Sequence, residues 1–107
     1  MNKCNIPTTA QQAFKILDTM IAPKDITAFR TMTSGEFSTN QHWGLGLWIR
    51  NNWIYRSGEE SEEEQILLDK CYRMLAGKLV KQFCVQPDDI SGYFLERYHR
   101  HLIRRQF

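Results

Sequence analysis

The stretch that most constrains the fold is QHWGLGLWIRNNWIY, residues Gln41 to Tyr55. Its polar break is the triplet Arg50-Asn51-Asn52. Wound as an α-helix, Trp43, Trp48 and Trp53 each follow the last by five residues, about 140° further round, so three indoles leave in three directions. A helix that is apolar all round belongs in the interior of a domain. The rival is a strand: Trp43, Leu45, Leu47 and Ile49 alternate, and Gly44 and Gly46 weaken a helix. The helix is the preferred reading of residues 43–50, with the glycines letting a neighbouring backbone come close. The strand remains its alternative.

The flanking segments read as helices from periodicity and caps. Thr9 and Gln12 have capping-box spacing after Pro7, and Ala13, Phe14, Leu17, Met20 and Ile21 make one stripe. Pro23 ends that helix and fits the first turn of the next, where Asp25 complements the dipole. Ile26, Phe29 and Met32 form its short apolar face before a turn at Ser34-Gly35. Ser61 with Glu64 opens a fourth helix whose stripe is Leu68, Tyr72, Leu75, Leu79 and Phe83, with Gly77 placed to kink or interrupt it. The last helix starts near Pro87 and runs towards Arg105. Ile90, Phe94, Tyr98 and Leu102 face inward, and Arg97, Arg100 and Arg104 lie on another face.

The chain has 107 residues, room for one core and no second. The expectation is therefore a single all-α domain over residues 1–107, a compact bundle of about five helices with the Trp-rich helix at its centre. No apolar run approaches the ~18 residues of a membrane span, and no apolar region follows Lys3, so no membrane association is expected. Cys4, Cys71 and Cys84 are an odd count without close pairs, which reads as free thiols in a cytoplasmic protein, the latter two as core residues.

The net charge is only +2, too balanced to announce a nucleic-acid binder. Charge is nevertheless polarised. Residues 57–70 hold six acids (Glu59, Glu60, Glu62, Glu63, Glu64, Asp69) against Lys70, and residues 71–107 hold seven bases against Asp88, Asp89 and Glu96.

Candidate functional residues fall into three groups. Arg50, Asn51 and Asn52 combine a guanidinium fork with two amides between Trp48 and Trp53, suited to carboxylate, phosphate or peptide contacts. The structural alternative is a buried Arg50 paired with Asp88 or Asp89. Those two acids, directly after Pro87, suit a helix cap better than acid–base chemistry or half a metal site. In Tyr98-His99-Arg100-His101 the two imidazoles point about 200° apart on a helix, so they do not share a metal easily. His99 could act as a general base with Asp89 behind it, but no nucleophile is marked out, and His42 stands isolated. The cysteines lack zinc-ligand spacing. No catalytic residue, metal or cofactor is expected. Arg97, Arg100, Arg104 and Arg105, with His101 nearby, could track phosphates, or could be a solvated face or a docking surface for an acidic partner.

Two stretches together, HWGLGLWIRNNWIY and QPDDISGYFLERYHRHL, resemble an uncharacterised family of small bacterial helical domains. In that family a G-x-W-I-R-N-N-W-like segment precedes H-P-D-D-[MI]-S and a Y-H-R-like helix. The resemblance covers residues 42–55 and 86–102 well and residues 9–32 loosely. It departs at Gln86, where a histidine is usual, and over residues 56–85, which are longer and more acidic than the usual connection. It implies a mostly helical bacterial domain, brings no activity, and links Arg50, Asn51, Asn52, Asp88, Asp89, Ser91, Tyr98, His99 and Arg100 in one motif set. If the Trp-rich and last helices meet, Arg50 bridges to an aspartate, and Arg50→Ala would orphan a buried carboxylate at about 3–5 kcal/mol.

A small domain with surplus aromatics, polarised charge and no catalytic constellation suits an electrostatically steered interface. The expected function is a protein–protein interaction module, in concrete form an immunity-type or regulatory protein that occludes a partner. The alternative is a nucleic-acid-binding regulator working through the basic last helix. An enzyme built on His99 and Asp89 is the third reading.

Overall fold

The computed structural model describes residues 6–82 and 85–104. Thr9 caps the first helix, α1 (Ala10–Asp18), accepting the Gln12 N–H. This helix stops short of Ile21, because Thr19 turns its backbone N–H and hydroxyl back onto the last carbonyls. Pro23 opens α2 (Pro23–Thr31) at its first position. The Ser34-Gly35 turn expected next is instead the start of a helix, α3 (Ser34–Asn40). Its cause is a full capping box, with Thr33 accepting the Glu36 N–H while the Glu36 carboxylate accepts the Thr33 N–H.

The Trp-rich stretch is helical, with no strand among the described residues. It starts at Leu45, later than Gln41, as α4 (Leu45–Ile49), and continues into a single π-helical turn, Arg50–Ile54. The Tyr55 N–H donates to the Arg50 carbonyl, five residues back. Ser61 and Glu64 close a second capping box on α5 (Glu62–Ala76). Gly77 ends α5 at φ +52°, the left-handed region where a side chain is strained. A 3₁₀ turn, Gly77–Lys81, follows. The last helix, α6 (Pro87–Arg104), again has proline in its first turn.

The other helices gather round α6, which touches α2, α3, α4, α5 and the π-turn. Its buried arc is wide: Ile90, Phe94, Tyr98 and Leu102 as expected, and also Leu95, Ser91 and His99. The core adds Ala13 and Leu17 from α1, Phe37 from α3, Ile49 and Trp53 from the Trp-rich segment, and Cys71 and Leu75 from α5. Gly46 allows α4 to sit close: a Cβ there would lie 3.1 Å from the Gln41 carbonyl and 3.2 Å from Arg50 Nη1. The three indoles diverge as their spacing demands. Trp53 is buried, Trp48 is half-buried with its ring edge-on to Trp53, and Trp43 stands out of the fold. No helix among the described residues is long and apolar enough to cross a membrane.

Candidate functional site

Arg50 enters the interior at the junction of α4 and the π-turn and is 2% exposed. Nη1 donates to Ser91 Oγ at 2.8 Å and Nη2 donates to the His42 carbonyl at 2.9 Å. Nε lies 3.3 Å from Asp88 Oδ1. Each Nη nitrogen has a hydrogen-bond acceptor and Nε has a counter-charge, which is how a buried guanidinium is tolerated. Ser91 meets both demands on it, accepting from Arg50 and donating to the Asp88 carbonyl.

The bridge anticipated from sequence therefore forms, and it goes to Asp88 with one correction. Asp88 is 60% exposed, so the pair has a buried cation and a hydrated anion. Asp89 takes no part; its Oδ2 accepts the Gln86 N–H, and Gln86 caps α6 through its carbonyl. Asn52 is structural, donating Nδ2 to the Trp48 carbonyl at 2.8 Å, and Asn51 is exposed.

What this guanidinium braces is the turn from Gln41 to Gly44. The Gln41 carbonyl accepts the N–H groups of Gly44 and Gly46. Arg50 grips the next carbonyl, at His42, and its Cζ lies 5.8 Å from the centre of the Trp43 ring. His42 is not isolated: its ring sits edge-on to Trp43 at 4.7 Å, and its Nε2 is 3.8 Å from Asp88. Trp43 itself is 75% exposed. Asp88 also lines a hollow of about 520 Å³ with Asp89, Glu96, Tyr93 and Leu79. Through His42 and Arg50 the exposed indole thus lies near Asp88 at the start of α6.

The Tyr98-His99-Arg100-His101 run divides among three environments. His99 is fully buried. Its Nε2 lies 2.8 Å from the Phe29 carbonyl and its Nδ1 3.0 Å from Ser34 Oγ. A carbonyl can only accept, so Nε2 carries the proton and Nδ1 takes the Ser34 hydroxyl in the neutral ring. The pairing with Asp89 expected for a general base does not form: His99 ties α6 to α2 and α3. Tyr98, also buried, donates its hydroxyl to Asp18 Oδ1 at 2.8 Å, while the other Asp18 oxygen is 3.3 Å from His101 Nε2. Asp18 was not singled out in the sequence, since nothing local marks a lone acid at the end of α1.

The basic face is only partly free. Arg97 Nη1 donates to the Met74 carbonyl at 3.0 Å, and its guanidinium lies over Phe94 and Tyr93. Arg100 and Arg104 are exposed. Arg105, Phe83, Cys4 and Cys84 lie outside the described residues. Cys71 is a core thiol whose burial pushes its pKa up to about 12. Among the described residues no three His, Cys, Asp or Glu side chains come together as metal ligands.

A comparison with known protein families matches residues 6–102 to a domain of unknown function (DUF6794). No curated protein and no solved structure matches the chain.

Proposed function

The chain belongs to that family of unknown function, which lends it no activity, and from the site itself we propose that it is a small protein–protein interaction module anchored by Trp43. The observation that carries this reading is an indole 75% exposed on a turn that a buried, hydrogen-bonded arginine holds in place. Trp, Tyr and Arg dominate binding energy at interfaces, and an anchor fixed before binding loses little entropy when it docks.

The surroundings indicate the partner's chemistry. Asp88, Asp89 and Glu96 rim the neighbouring hollow. A matching surface offers an apolar pocket for the indole and Lys or Arg side chains around it, giving fast, steered encounter. An immunity-type or regulatory protein that covers a partner's working surface is the concrete form of this proposal. The test is affinity capture from the native host, run in parallel with wild type and Trp43→Ala. The reading requires a stoichiometric protein partner that survives high salt on the wild type and is lost from the variant. It fails if the capture yields only nucleic acid released at moderate salt.

A further inference from the structure

Four side chains of the C-terminal half of α6 converge on a second hollow of about 320 Å³, remote in sequence from Trp43: Arg97, Arg100, His101 and Arg104, with Phe14 of α1 as its wall. Their spacing of i, i+3, i+4 and i+7 puts all four on one strip of the helix, about 10 Å long. The negative end of the helix dipole accounts for His101 and Arg104 in the last turn. It does not account for their sharing one concavity with an aromatic wall.

Each member is prepared differently. Arg97 is a fixed cation, held by the Met74 carbonyl and by the faces of Tyr93 and Phe94. His101 is oriented from behind: Asp18 holds Nε2, and Phe14 stacks on the ring at 4.7 Å. Tyr98 in turn fixes Asp18. Arg100 and Arg104 are exposed, and their side chains make no hydrogen bond or ion pair among the described residues. A braced back wall with two exposed guanidinium forks at the mouth is an arrangement that grips a multiply charged oxyanion.

We propose that this hollow is a binding site for the phosphate or diphosphate group of a small molecule, with Arg100 and Arg104 closing on its oxygens. A compact anion fits better than a nucleic-acid strand. The basic strip is one or two phosphates long, and the same helix continues into Glu96, Asp89 and Asp88, which repel an extended polyanion.

Inorganic pyrophosphate, titrated calorimetrically into the full chain at constant ionic strength, is the probe. The site predicts saturable, one-to-one binding that Arg100→Gln/Arg104→Gln weakens at least ~10-fold per arginine removed. Arg100→Lys/Arg104→Lys, which keeps charge without the forks, should fall between the two. Both pairs are exposed, so thermal melts should match the wild type. No saturable binding, or binding equal in the Gln variant, overturns the proposal. So does a single-stranded oligonucleotide that binds and is not displaced by pyrophosphate, because the strip is then a polyanion track.

Discussion

Replacing Arg50 by alanine removes a side chain that is 2% exposed and has three partners. Two hydrogen bonds from a charged donor are lost, each about 1.5–3 kcal/mol, together with the packing of the buried stem. Two effects offset this. The guanidinium no longer suffers a desolvation penalty of several kcal/mol, and the vacated volume can admit water to the Ser91 hydroxyl and the His42 carbonyl. Asp88, 60% exposed, stays hydrated. The net cost is about 2–3 kcal/mol, below the 3–5 kcal/mol that an orphaned buried carboxylate would impose. For a chain of this size that lowers Tm by roughly 10–20 °C. Asp88→Ala leaves Nε of the buried guanidinium without its counter-charge, which should cost about 1–3 kcal/mol. Thermal and urea unfolding followed by far-UV circular dichroism measure both. A loss below ~0.5 kcal/mol for Arg50→Ala would refute the assignment of the guanidinium as the buried brace.

Three further outcomes follow from the fold. Cys71, with its pKa pushed up to about 12 by burial, should resist alkylation in the folded protein at neutral pH when Cys4 and Cys84 are replaced by serine, and react on unfolding; rapid native labelling would contradict its burial. Gly77→Ala should destabilise by at least ~1 kcal/mol, since φ is +52° and the new Cβ would sit 3.1 Å from the Tyr93 ring; an unchanged denaturation midpoint would show that α5 ends differently. Glu36 has its pKa lowered, chiefly by the Thr33 N–H. Its contribution is present above its unfolded pKa and fades as pH falls through the folded value. Glu36→Gln should therefore flatten the acid limb of the stability–pH curve, and an unaltered limb would mean the capping box does not form in solution.

Much of the helix framework was legible because it is written in local syntax. Thr9, Ser61, Pro23, Pro87 and Gly77 each act where their chemistry predicts. Thr33-Ser34-Gly35-Glu36 carries the same capping syntax, but Gly35 drew the reading towards a turn. The π-turn was not legible, since hydrophobic periodicity does not register one extra residue in a helical turn. The Arg50 bridge to the start of α6 was visible in the paired motifs; its one-sided burial depends on how close α4 and α6 come at Gly46 and Ser91. Asp18 meets Tyr98 and His101 across some eighty positions of sequence, and His99 meets Ser34 across sixty-five. Contacts of that range leave no local trace. The exposure of Trp43 is of the same kind: its immediate neighbours to Ile49 are mostly apolar, and the start of α4 at Leu45 leaves this indole ahead of the helix.

The claim that Trp43 is a braced anchor for a protein partner is tested most directly by comparing wild type and Trp43→Ala for the amount of a single host protein retained at high salt. An anchor of hot-spot strength predicts a loss of about 30-fold or more in the variant, with its melting temperature unchanged. Equal retention of the same protein by both, at matched stability, would contradict the claim.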